Sequence, residues 1–269
     1  MTLVATDLDR TLVYSRGAIE AYGGGDVPVV AVERYRDADA SFMTARAATS
    51  FAGLAERAVV VPTTTRTPEQ LARITLPGPP PRYAVAANGG VLLVDGEPDD
   101  AWRRDVGRRL AGAAALPEVR AHVAAACDPG WTLSVREASE LFCYAVVDRA
   151  ALPAGFVAAE TAWADARGWQ VSLQGRKLYW VPRPLTKSAA VAEIARRAGA
   201  GHILAAGDSL LDADLLLAAD AGIAARHGEL VAAGWHAPHV VVTEAQGVLA
   251  GEEIVAWFVA RVGDAVPIR

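Results

Sequence analysis

Short apolar runs, each stopping at polar or acidic residues and separated by helical stretches, constrain this chain more than any other feature. Residues 2–6, Thr-Leu-Val-Ala-Thr, are apolar and β-branched, too short for a helix and followed at once by acids. They read as a buried strand. Similar runs at 58–62, 83–87, 202–206, 221–224 and 239–242 alternate with helical patterns at 42–57, 68–74, 188–198, 210–218 and 246–262, and Thr67 is placed to cap the second of these. Strands alternating with helices predict an α/β domain built on a parallel sheet covered on both faces.

The middle of the chain breaks this rhythm. Two helices between 101 and 127 precede paired strands at 131–136 and 141–147, a helix at 156–167, and a second strand pair at 169–173 and 177–181. This is an α+β module inserted into the α/β domain, bounded by the turns Gly96-Glu-Pro98 and Pro182-Arg-Pro184. The expected organisation is a core at 1–97, the insert at 98–181, and the core again at 182–269. Five of the seven tryptophans fall in the insert, where core packing is the expected use and stacking on a ligand ring the alternative.

Bulk properties exclude several classes. A net charge of −5 disfavours a nucleic-acid surface, which needs a concentrated positive field. The apolar runs are too short to cross a bilayer, so no membrane contact is expected. The first residues lack a basic segment followed by an apolar stretch, and Cys127 and Cys143 offer neither a disulfide framework nor zinc spacing, so the expected compartment is the cytoplasm. The oligomeric state cannot be read from the sequence.

Four elements carry chemistry. Asp7-Leu-Asp9-Arg-Thr11 follows the first strand, at the carboxyl end where open parallel sheets keep their sites. Two carboxylates one residue apart can share a space, one as nucleophile and the other as acid. Gly207-Asp208-Ser-Leu-Leu-Asp212 also follows a strand; acids four apart share a helical face and suit a hard cation such as Mg²⁺, the alternative being acids that complement a helix dipole. Lys187, in Pro184-Leu-Thr-Lys-Ser188, is one of two lysines against 24 arginines, a compact charge suited to phosphate. Thr64, in Pro62-Thr-Thr-Thr-Arg66, offers a hydroxyl and a backbone N–H to a phosphate oxygen, or simply caps a turn.

In this order the four elements resemble motifs I, II, III and IV of the haloacid dehalogenase superfamily: Asp7-Leu-Asp9-Arg-Thr11, Thr64, Lys187, and Gly207-Asp208 to Asp212. Ala87-Asn88-Gly-Gly90 is similar to the Asn-Gly-Ala loop of its Cof-type and sucrose-phosphatase-like branch, whose C2-type cap lies where the insert lies. The resemblance implies a Rossmann-like core with an inserted α+β cap, and a phosphatase acting on a small phosphorylated substrate. Sugar phosphates come first and nucleotide-type phosphates second. It implies that Asp7 forms an aspartyl-phosphate and Asp9 is the acid and base. Mg²⁺ is held by Asp7, the Asp9 carbonyl, Asp208 and Asp212, and the phosphoryl group by Thr11, Thr64, Asn88 and Lys187.

Departures from the family pattern are Arg10 where glycine is frequent, Thr65 where the Thr-Gly-Arg form has glycine, and Leu211 where one form has Asn. Arg10, Thr65 and Arg66, with Arg176 and Lys177 on the second hairpin of the insert, are the candidates for substrate selection. A phosphomutase of the same superfamily and a silent phosphate-binding protein are the remaining readings.

Overall fold

The computed structural model describes residues 1–263. The chain divides into two units, Met1–Pro98 with Lys187 onward, and Asp99–Thr186.

The first unit is built on five parallel strands in the order Val240–Val242, Ala221–Ala224, His202–Gly207, Thr2–Thr6, Val59–Pro62. Thr2–Thr6 is paired on both sides and wholly buried, which is why its sequence is continuously apolar instead of alternating. Flanking helices cover the sheet. Ala45–Ala55 and Val248–Gly263 pack against one another and bring Phe51, Leu54, Ile254, Val255 and Phe258 into one core with Val4, Val60, Leu204 and Ile223. Each of these side chains contributes about 1.5–3 kcal/mol by burial.

The structure departs from the expected elements at three places. Residues 42–44 are not helical: Val29–Tyr35 and Ala38–Thr44 form a hairpin, and the helix starts at Ala45 because the Thr44 hydroxyl accepts from Ala47 N–H at 3.0 Å. The hairpin turns at Arg36 and Asp37, both with positive φ. Tyr83–Ala86 is not a regular member of the parallel sheet. It meets the edge only at the Thr63–Val85 bridge and pairs antiparallel with Val91–Val94, because Asn88 and Gly89, both at positive φ, reverse the chain immediately. The expected helix at 210–218 is a 3₁₀ turn, Leu210–Asp212, continued by Ala213–Ala218.

The second unit is a four-stranded antiparallel sheet, ordered Trp169–Gln174, Lys177–Pro182, Phe142–Val147, Thr132–Ala138, with helices Asp100–Leu110, Leu116–Ala126 and Phe156–Asp165. Pro182 still pairs with Trp169, and Leu185 N–H bonds to Pro182 O, which keeps the chain with this unit through Thr186 rather than releasing it at 182. Trp102, Trp131, Trp169 and Trp180 are buried core residues. Buried Glu160 accepts from Trp180 Nε1 at 2.9 Å and pairs with His122, which stacks on Trp163. No helix among the described residues is long and apolar enough to cross a membrane.

Candidate active site

Asp7 leaves the end of Thr2–Thr6 with its N–H on Ala206 O at 2.9 Å, so the carboxyl ends of two neighbouring strands fix its position. Beyond it the chain winds tightly, with the N–H groups of Thr11, Leu12 and Val13 all converging on Leu8 O. Arg10 sits in this coil at φ 65°. The winding turns Thr11 back onto the strand end, where its hydroxyl donates to Asp7 Oδ2 at 3.1 Å. Thr11 is fully buried, and in this structure it orients the Asp7 carboxylate.

Lys187 opens the Lys187–Ala198 helix, whose Ser188 N–H is capped by Asp214 at 2.8 Å. That cap gives Asp214 a structural use and fixes Lys187. The ammonium is fully buried and donates to Asp7 Oδ1 at 2.7 Å and Asp212 Oδ1 at 2.5 Å. The second Asp212 oxygen accepts from Asp208 N–H, Ser209 N–H and the Ser209 hydroxyl, at 2.8–3.0 Å. Asp212 thereby closes the loop that presents Asp208. Two glycines permit it: a Cβ on Gly207 would lie 2.3 Å from Asp212 Cβ, and one on Gly228 would lie 2.2 Å from Asp208 O.

Oxygens of Asp7, Asp208 and Asp212 all lie within 4.8 Å of one another. Burial is the main cause that raises the Asp7 pKa, to about 7; Lys187 opposes it, and Asp212 and Asp9 add to it. Asp208 is pushed well above its usual range, again by burial first and then by Asp7 and Asp212. The Lys187 ammonium is held above its ordinary pKa, because attraction to Asp212 and Asp7 outweighs its burial. Such a set of buried oxygens fits a hard cation such as Mg²⁺.

The motif II loop follows Val59–Pro62. Thr64 N–H is spent on Val85 O at 2.8 Å and is not open to a phosphate oxygen; the hydroxyl oxygen accepts from Arg66 N–H at 3.1 Å. Asn88 N–H bonds to Thr64 O and Ala87 N–H to Arg66 O, so the Ala87–Gly89 turn straps this loop in place. Arg66 lies beside Asp9, with Nε and Nη2 each 2.7 Å from a carboxylate oxygen, and its outer edge meets Glu33 at 2.8 and 3.1 Å. Glu33 is buried and also accepts from Ser41 at 2.5 Å. Thr65 is buried next to Arg66.

The structure thus brings Asp7, Thr11, Lys187, Asp208 and Asp212 together, with Arg10 on Asp208 and Arg66 on Asp9. Arg176 and Lys177 lie in the second unit, on the turn between Trp169–Gln174 and Lys177–Pro182, with Arg176 exposed. Sequence reasoning missed Glu33 and Ser41, and also Tyr22 and His227, which contact Arg10.

No protein-family model matches the sequence, and no curated protein matches it significantly. The fold is similar to many solved structures. A sucrose-phosphatase from Synechocystis sp. PCC6803, in complex with sucrose and phosphate, matches at 16% identity and TM-score 0.63, over 96% of this chain and 97% of that one. A sugar phosphatase of haloacid dehalogenase subclass IIB matches at 14% identity and TM-score 0.59, over 98% and 99%. A haloacid dehalogenase-like hydrolase from B. subtilis matches at 13% identity and TM-score 0.58, over 99% and 100%. The chain has the fold these proteins share, a Rossmann-like parallel core with an inserted cap.

Proposed function

We propose that this protein is a Mg²⁺-dependent phosphatase that hydrolyses a small phosphomonoester, a sugar phosphate first, through phosphorylation of Asp7. The observation that carries the reading is the buried cluster of Asp7, Asp208 and Asp212 around the Lys187 ammonium. A carboxylate nucleophile needs its charge compensated before it can approach an anionic phosphoryl group, and here the compensating groups are already in place. Solved structures of the same fold include a sucrose-phosphatase and a sugar phosphatase, which favours sugar phosphates over nucleotides.

Asp7, Asp208 and the Asp9 carbonyl would hold the cation, with Asp212 positioning Asp208 through its N–H. When bound, Mg²⁺ supplies positive charge to the phosphoryl oxygens and to Asp7. A carboxylate oxygen of Asp7, oriented by Thr11 and Lys187, attacks phosphorus as the ester oxygen leaves. Asp9 gives that oxygen a proton. Asp9 then takes a proton from water as the water oxygen attacks phosphorus, the Asp7–phosphorus bond breaks, and inorganic phosphate is released. The Thr64 hydroxyl and Lys187 bind phosphoryl oxygens. Arg66 holds Asp9 at the right place by two parallel hydrogen bonds. Choice among esters is assigned to Arg176 and Lys177 of the inserted unit, which contains none of the groups the transfer requires.

A phosphate-release assay on a panel of sugar phosphates and nucleotides, with Mg²⁺ and with excess EDTA, tests this reading. Mg²⁺-dependent release from sugar phosphates is expected. Release that persists in EDTA, or none from any panel member, contradicts it. Arg176→Ala should raise KM for the preferred sugar phosphate by the equivalent of roughly 1.5–3 kcal/mol and change a simple aryl phosphate much less.

A further inference from the structure

Arg10 occupies a backbone position that does not suit it. Its φ of 65° lies in the left-handed region that favours glycine, so an arginine there is strained. What the side chain does with that position is specific. Its Nε lies 3.3 Å from Asp208 Oδ2, and its Nη2 lies 3.2 Å from both the Tyr22 hydroxyl and His227 O. His227 holds the other end of the residue. Gly247 N–H donates to His227 Nδ1 at 3.1 Å, so the remaining hydrogen is on Nε2, which donates to Arg10 O at 3.0 Å. Tyr22 packs against the His227 ring, completing a pocket that grips Arg10 at backbone and side chain.

All three guanidinium contacts are longer than the 2.7 Å bonds Arg66 makes to Asp9. The guanidinium is held close to Asp208 without being locked onto it. Two of its acceptors are neutral, so they retain it when Asp208 turns to another cation. Charge in the cluster makes the consequence concrete. Asp7, Asp9, Glu33, Asp208 and Asp212 face Lys187, Arg66 and Arg10, five carboxylates against three cations. With all five carboxylates ionised, the deficit equals one divalent ion. Without Arg10 the deficit is larger, and the ion is drawn in more strongly.

We propose that Arg10 is a built-in counter-cation that competes at Asp208 and sets the Mg²⁺ affinity of the site well below what its carboxylates alone would give. The inference rests on the metal reading above. Loading then responds to Mg²⁺ concentration instead of being saturated at all times, and an arriving phosphoryl dianion favours it by adding negative charge beside both cations.

Calorimetric titration of the full chain with Mg²⁺ alone tests this without turnover. Arg10→Gln and Arg10→Gly, the second matched to the positive φ, should each lower Kd roughly tenfold. Arg10→Lys, which keeps the charge, should stay within about threefold of wild type. Asp208→Asn should abolish binding in every background. If both neutral variants bind Mg²⁺ no tighter than wild type while Asp208→Asn still abolishes binding, Arg10 only staples the loop and the inference is overturned alone. Saturable binding that survives Asp208→Asn, or no binding by any variant, overturns the metal reading and the inference with it.

Discussion

Arg66 grips both carboxylate oxygens of Asp9 at 2.7 Å, while the outer edge of the same guanidinium is anchored on Glu33, 33 residues away in sequence. One planar cation thus ties the loop after the first strand to the loop after Val59–Pro62 and to the Val29–Tyr35 strand. Lysine cannot reproduce a fork that serves two carboxylates at once. Arg66→Lys should therefore lower kcat by roughly 10–100-fold with little change in KM, because Asp9 loses its orientation while phosphate binding persists. Steady-state kinetics on a simple phosphate ester measure the split; a pure KM effect would place Arg66 on the substrate instead.

Glu33 is the buried anchor of that pair, and its loss leaves Arg66 with one partner fewer in a largely dry site. Glu33→Ala should cost about 3–5 kcal/mol of stability, the range for breaking a buried ion pair. Urea unfolding reads this directly. A cost below about 1 kcal/mol, the range of exposed pairs, would show that Arg66 finds an equivalent partner.

Much of this site was legible because two of its acids stand at the ends of apolar runs. Asp7 follows Thr2–Thr6 and Asp208 follows His202–Gly207, so local pattern and spatial position coincide. What was not legible depends on partners far along the chain. Glu33, Tyr22 and His227 have no local signature, since their roles come from Arg66 and Arg10. The hairpin that carries Glu33 turns at Arg36-Asp37, where positive φ is adopted without the Asn-Gly pair that usually announces it. The apolar residues of Ala38–Thr44 then run into the helix and read as its first turn until the Thr44 cap is seen. The bond from Thr64 N–H to Val85 O is likewise invisible in the sequence, because it comes from a pairing that periodicity cannot register.

Metal affinity should depend on pH in a defined direction. Burial raises the Asp7 carboxyl to about 7, and a cation binds its ionised form. Mg²⁺ affinity should therefore rise as pH increases toward 7, by up to about tenfold per unit. Titrations between pH 5.5 and 8 check the slope. A flat profile would mean that Asp7 is ionised throughout and that Lys187 outweighs its burial.

His227 supplies a separate pH effect, on stability. Burial comes first and the nearby Arg10 charge second in lowering its pKa to about 4 from an ordinary 6.5. Below the ordinary value the unfolded chain takes up the proton and the folded chain resists it. The stabilisation is thus complete above about pH 6.5 and is lost as pH falls toward 4. Because the ring is partly exposed, the effect should be roughly 1–3 kcal/mol. His227→Asn should flatten the stability profile across this window; an unchanged slope would mean that His227 titrates normally.

The proposed phosphoryl transfer goes to Asp7, whose two oxygens are held by Lys187 and Thr11. An acyl phosphate can be trapped by acid quench during turnover of a hydrolysed ester and reduced with borohydride, which converts the phosphorylated aspartate to homoserine. Peptide mass spectrometry then locates it. Homoserine is expected at position 7, and none in Asp7→Asn protein that remains folded. Turnover with no modified residue, or with the modification at Asp9, Asp208 or any other side chain, would contradict it.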